Sequence, residues 1–315
     1  MNIANMNIIS SGLKQVLSFI DGIVGNYGLS VIIFTLAIRF VLLPLDIKSK
    51  KSMKAMEKVK PQQDYIQKKY AQDKELLNRK MTELYKKEGV SPMSGCLPML
   101  LQMPILFCMF TAMRVAANEK TVEMLLGMMN GIEPSFEGFL WIRNVFQPDA
   151  FWATVIPGHG SALAAIAPVN GSEILTPENV AAVQAFLASE EYLAWTAKFG
   201  ADTLIYSAPM LVWTISIPAQ FNGLFILPVL SAVSQVLATK MQPAATSGNE
   251  QQKSTGKMMQ YFFPIFSLWI CATSTSAFAI YWVASNLIQI AQTFFVNLYF
   301  DKREKEGSTD IKEVN

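Results

Sequence analysis

The hydrophobic pattern of the 315-residue chain is set by where charged residues stop. Lys257 and Asp301 bracket 43 positions without Asp, Glu, Lys or Arg. As one helix this stretch would run ~65 Å, about twice the ~30 Å hydrocarbon thickness of a bilayer, so it must double back. The polar run Thr273-Ser274-Thr275-Ser276 is the expected turn, which predicts spans over 258–273 and 277–300. Residues 89–113 form another uncharged run, of 25 positions, and predict a span over 95–114. Its Pro98 and Pro104 suit a bilayer, where neighbouring helices satisfy the freed carbonyls. Residues 27–45, interrupted only by Arg39, and 221–239 complete a set of five spans.

Between the spans the pattern changes character. In 1–26 the residues Ile8, Ile9, Leu13, Val16, Leu17 and Ile20 recur every three to four positions, which predicts an amphipathic helix lying on a membrane surface. These residues do not read as a secretory signal. Residues 46–94 are helix-forming, with stripes Met53/Met56/Val59 and Leu77/Met81/Leu84, and predict a helical hairpin turning near Ala71-Gln72-Asp73. An outer interfacial segment follows over 115–147, then a folded insertion over 148–220, a loop over 240–257 and a tail over 301–315. Within the insertion, Thr176 and Pro177 mark a helix start and Gly200 its end. Asp202 and Lys240 bracket 37 uncharged positions, enough for two spans, but Leu211, Trp213, Ile215 and Ile217 alternate as a half-buried strand does. Asn170-Gly171-Ser172 matches a glycosylation sequon and is more simply a turn.

Composition agrees with a membrane class. Charged residues make up 16% of the chain, against ~25% in soluble domains. Net charge is only +2, but its distribution orients the chain. Residues 46–94 hold 13 basic and 7 acidic side chains, whereas 115–221 hold 3 basic and 10 acidic. Basic short loops stay in the cytoplasm, so the hairpin lies inside, the insertion outside, the N-terminus out and the C-terminus in. The tail carries 4 basic and 5 acidic residues and offers no basic surface to a ribosome.

Candidate chemistry is sparse. Cys96, Cys108 and Cys271 sit in apolar runs and read as buried thiols. The one histidine, His159, lies in a Pro-Gly loop, and no metal or cofactor is expected. Gly248 with Lys253-Ser254 lacks the second glycine and the preceding strand of a phosphate loop, and no nucleophile or base constellation is visible, so no enzyme is predicted. Arg39 stands apart. An arginine near mid-bilayer costs about 2.5–3.5 kcal/mol on insertion scales, so it faces a wet or protein-lined space or snorkels to the headgroups. No Asp or Glu lies in any predicted span to neutralise it, which points to a hydrated cavity. The polar residues available to line that cavity are Thr35, Gln102, Ser231, Ser234, Gln235, Trp282, Ser285, Asn286 and Gln289.

Taken in order, several segments resemble the YidC family of membrane protein insertases. They are Asn26-Tyr27-Gly28, Arg39 with Pro44, the charged hairpin with Pro61, Gly95-Cys96-Leu97-Pro98 through Gln102-Met103-Pro104-Ile105, Phe139-Leu140-Trp141-Ile142, and Tyr281-Trp282-Val283-Ala284-Ser285-Asn286-Leu287. The resemblance implies an all-α polytopic membrane protein of five transmembrane helices around a hydrophilic groove, with a cytoplasmic helical hairpin and here an unusually long extracytoplasmic insertion. It is similar to the Gram-positive-like branch, without the large N-terminal outer domain. It implies Arg39 as the groove cation, with Thr35, Gln102, Gln235 and Trp282 as substrate-binding positions. Nascent membrane proteins would be the substrates in a bacterial plasma membrane. The ribosome, the Sec translocon and membrane lipids are further expected partners, with no direct sequence-specific nucleic acid. On the residues alone, a small-anion transporter using Arg39 as its substrate site is the alternative, although no convincing inverted repeat is present. A structural membrane subunit is the other, and it would have no use for a hydrated arginine.

Overall fold

The computed structural model describes residues 8–90, 97–157, 166–170, 172–199, 205–209, 214–218, 221–241 and 258–313. The described fold is mostly helical. In chain order come α1 (Ile8–Val24), α2 (Tyr27–Lys69), α3 (Lys74–Glu88), α4 (Leu97–Met129), α5 (Pro177–Leu187) and α6 (Glu190–Phe199). Strands β1 (Ile205–Pro209) and β2 (Thr214–Pro218) follow, then α7 (Ile226–Met241), a π-helical turn Met258–Phe262, α8 (Phe263–Thr273) and α9 (Ser276–Glu313). Among the described residues, α2 and the Ser276–Phe300 part of α9 are long and apolar enough to cross a membrane, and α7 is a shorter apolar helix. Two compact units divide the chain, one of Met1–Leu36, Pro104–Ser231 and Ser267–Ala284, the other of Ala37–Met103, Ala232–Phe266 and Ser285–Asn315.

In the first unit, polar residues fix where helices begin. Asn26 caps α2, its side-chain oxygen accepting from the Leu29 N–H at 3.0 Å while its amide donates to the Gly138 carbonyl at 3.2 Å. Two residues on, Gly28 admits the Phe139 ring so closely that an added Cβ would lie 2.5 Å from it. Tyr27 packs edge-on against Phe146 at 4.9 Å. The Asn-Tyr-Gly and Phe-Leu-Trp-Ile segments are therefore one structural feature, the second laid across the start of α2.

Asp149 is fully buried and plays the same part for α7. Its carboxylate accepts from the Leu224, Phe225 and Leu227 N–H groups at 2.7, 3.1 and 2.7 Å and from the Trp141 indole at 3.1 Å. A charge at the N-terminal end of a helix also meets the positive end of its dipole. Asn144 and Asn222 close the neighbouring loops through reciprocal bonds of 2.9 Å. This capping delays the helix: α7 starts at Ile226 rather than at Phe221.

The insertion is built on α4, which continues 15 residues past Arg114 to Met129. Val115, Val122, Leu125 and Met128 of α4 share a buried core with Val180, Val183, Phe186 and Leu187 of α5 and with Tyr192. Thr176 caps α5 as its sequence predicts, accepting from the Asn179 N–H at 3.2 Å. The helix does not run to Gly200, however. It stops at Leu187, and Ser189 caps a second helix by accepting from the Tyr192 N–H at 3.2 Å. Ser189-Glu190-Glu191 is itself a start signal, a hydroxyl cap followed by an acidic first turn. Next, β1 and β2 pair antiparallel with Ala208 opposite Ile215. This ribbon takes the place of the extra helical span weighed for 203–220, because strands of five residues fall short of the ~9–11 that a transmembrane strand needs.

In the second unit α2 passes Pro44 without ending, so the predicted border at residue 45 is not a break. Pro44 lacks the N–H that would have met the Phe40 carbonyl and its ring crowds that carbonyl, yet the helix continues through it. The chain turns over Tyr70–Asp73, where Asp73 caps α3 by accepting from the Leu76 N–H at 2.9 Å, and Gly89 ends α3 in the left-handed region at φ 62°. Met53 and Val59 of α2 and Met81 and Leu84 of α3 are buried, as their stripes predict. Pro98 falls in the first turn of α4, where its missing N–H costs nothing.

Candidate functional site

Arg39 lies in the second unit, on α2, twelve residues after the start of the helix. It is 6% exposed, so protein atoms cover it almost completely. One guanidinium nitrogen donates to the Ser285 hydroxyl at 2.5 Å and to the Gln289 side-chain oxygen at 3.3 Å. The Gln292 amide donates to the Arg39 carbonyl at 3.4 Å. Ser285, Gln289 and Thr293 stand four residues apart on α9, and therefore along one row of its surface. Ser285 and Gln289 are thus two of the polar residues expected to line the Arg39 cavity, but the guanidinium is covered by protein rather than set in the open hydrated space that the sequence predicts. Asn286, also on α9, donates to the Ser234 hydroxyl of α7 at 3.1 Å, so a second polar pair is buried in this unit.

The same row serves a second cation. The Lys50 ammonium donates to the Thr293 hydroxyl at 2.6 Å, and beyond it the Lys54 ammonium lies 5.4 Å from the centre of the Phe300 ring. Burial pushes the Lys50 ammonium down to about 8, with Asp46 pulling it up and Arg39 adding to the fall. Burial also raises the Asp46 carboxyl above its usual range, opposed by Arg39 and Lys50. Asp46 lies just past the predicted span, and its charge is felt by Arg39 across two helical turns. No acid lies within the predicted spans, so this neighbour comes from just outside them.

The other predicted site residues lie as follows. Gln235 is half-buried on α7 in this unit, its carbonyl accepting from the Thr239 hydroxyl at 2.8 Å. Gln102 falls on α4, with its side chain outside the described residues. Thr35 and Trp282 belong to the first unit. Thr35 is buried and donates to the Val31 carbonyl at 2.6 Å, and the Trp282 ring packs against Phe278 at 5.7 Å. Cys108 and Cys271 are buried and not joined in a disulfide, whereas Cys96 and His159 lie outside the described residues. Among the described residues no three His, Cys, Asp or Glu side chains cluster to hold a metal.

Comparison with known proteins decides the family. The chain matches the 60Kd inner membrane protein family over residues 19–304. A membrane protein insertase YidC of Fusobacterium nucleatum subsp. nucleatum is 30% identical over 295 residues, covering 92% of this chain and 98% of the relative. The chain belongs to the YidC family of membrane protein insertases. A YidC of Chlorobium limicola is 27% identical over 285 residues, and there the chain spans 35% of the relative's length. A crystal structure described as an active YidC insertase with the first transmembrane domain resolved aligns over 91% of this chain and 46% of its own, at 19% identity and a TM-score of 0.43. Family membership and the two long apolar helices make the chain a membrane protein of bacterial type.

Proposed function

We propose that this YidC-family chain inserts nascent membrane proteins and helps them fold by drawing a polar, often acidic, client segment towards Arg39 while the client's apolar helix enters lipid. The carrying observation is the buried Arg39 guanidinium held by Ser285 and Gln289, two neutral oxygens that fix the orientation of the cation. Taking a carboxylate out of water is costly, and a fixed cation with hydrogen-bonding neighbours offsets that cost. The client's own helix supplies the drive, because ~20 apolar residues at several tenths of a kcal/mol each outweigh one short polar end. Nucleotide hydrolysis has no part in such a cycle. Five spans with the N-terminus out, the hairpin α2–α3 inside and the insertion outside follow from the distribution of Lys and Arg. The basic hairpin would meet anionic lipid heads, a ribosome or the Sec translocon.

Arg39→Ala and Arg39→Lys proteins in proteoliposomes test the scheme with a single-span client bearing an acidic tail. Lys should keep part of the activity and Ala little. Full insertion by Arg39→Ala would refute charge attraction, and uptake of a small anion by the intact protein would point to a transporter instead.

A further inference from the structure

Lys50 has no role in the scheme above, yet it is placed with care. It follows Arg39 by eleven residues on α2, which is ~16 Å along the axis and close to three full turns, so both cations lie on one face. Asp46, seven residues after Arg39, shares that face. Opposite them, α9 offers Ser285 and Gln289 to Arg39 and Thr293 to Lys50. Between Ser276 and Phe300 that helix carries no charged residue, so the row facing both cations holds hydroxyl and amide groups but no carboxylate. Lys50 is half-buried, and an ammonium has three protons to give, of which Thr293 takes one. A lysine at this place is also suited to handing a ligand on. Its compact charge on a flexible stem exchanges partners, whereas the planar fork of an arginine holds them.

We infer that Lys50 and Thr293 form a second carboxylate-binding position, which takes an acidic side chain of the client's polar segment while another reaches Arg39. The inference rests on the insertase reading and deepens it, because it defines which clients gain most. An extended chain covers ~3.3 Å per residue, so ~16 Å corresponds to about five residues. Side chains of an extended chain alternate between two sides, so a client with two acidic residues four positions apart, ~13 Å along the chain plus the reach of both side chains, can engage both cations at once, and a client with one cannot.

The test uses the 315-residue chain in proteoliposomes with three versions of one single-span client, whose polar tail carries two Asp four positions apart, one Asp, or Asn at both places. For each variant the readout is insertion of the acidic clients relative to that variant's own Asn client. In the unaltered protein the two-Asp client should exceed the one-Asp client about fivefold. Lys50→Gln should abolish that difference, Lys50→Arg should keep it, and Lys50→Glu should turn the preference towards a tail with two Lys. If Lys50→Gln leaves the two-Asp advantage intact while Arg39→Ala lowers the response to acid, the second position is refuted and the Arg39 scheme survives. An equal loss across all three clients in Lys50→Gln, with no reversal in Lys50→Glu, makes Lys50 a structural residue and also refutes it. If the unaltered protein does not distinguish Asp from Asn, the Arg39 scheme falls and this inference with it.

Discussion

The Arg39 guanidinium and the Ser285 hydroxyl, 246 residues apart in sequence, meet at 2.5 Å. A buried cation needs oriented oxygen around it, and a serine on α9 supplies it without introducing a negative charge that would compete with a client.

Ser285→Ala removes that acceptor and leaves Gln289 as the remaining named one on α9. Loss of one hydrogen bond to a buried charge costs about 1–3 kcal/mol. Thermal unfolding in detergent should show a lowered midpoint, and insertion of an acidic client should fall several-fold, with Ser285→Thr restoring both. Equal behaviour of Ala and the unaltered protein would mean that the contact is incidental.

Asp149 is a sharper structural test, because one carboxylate receives four donors from two separated segments. Asp149→Ala should destabilise the first unit by about 3 kcal/mol or more, as stranded buried N–H groups do. Asp149→Asn should cost less, since its amide keeps one oxygen. Gly223→Ala should mimic the damage, because a Cβ there would overlap the Asp149 carboxylate. Hydrogen exchange at the start of α7 would register all three.

Gly28→Ala puts a methyl group into the Phe139 ring. Overpacking of this kind costs about 1–3 kcal/mol. Phe139→Leu, combined with it, should recover part of the loss by making room, a coupling that a double-mutant cycle would measure.

The pH response of client selection follows from Lys50. With its ammonium lowered to about 8, Lys50 is charged below that pH and neutral above it. The groups acting on it are Asp46 and Arg39 on α2, while α9 faces it with Thr293, which does not titrate. The advantage of a two-Asp client should therefore shrink between pH 7 and about 9. It should stay flat in Lys50→Arg, because a guanidinium keeps its proton throughout. Insertion ratios measured across that range would check both.

Much of this arrangement was legible in the amino-acid sequence, and what escaped did so for physical reasons. Arg39 announced itself because a charge in an apolar run has few tolerable surroundings, and Ser285 and Gln289 stood among the polar residues named for it. Thr176 and the turn at 70–73 were readable because capping and turn chemistry is local. Asp149 was not. It looks like one more acid in an acidic outer segment, and its partners at Leu224 to Leu227 lie 75–78 residues away. Lys50 was hidden among six clustered lysines, although its spacing from Arg39 could have singled it out. The restart at Ser189 escapes because the start at Thr176 and the stop at Gly200 bracket one helix, and only the hydroxyl-acid-acid run between them marks a second.

The central claim is that a client's polar segment comes to the Arg39 cluster, and a photoreactive residue in place of Gln289 tests it most directly. With a client stalled on the ribosome during insertion, the account predicts crosslinks to the polar tail that weaken when its Asp residues become Asn. Crosslinks confined to the apolar helix, or of equal strength for both tails, would contradict it.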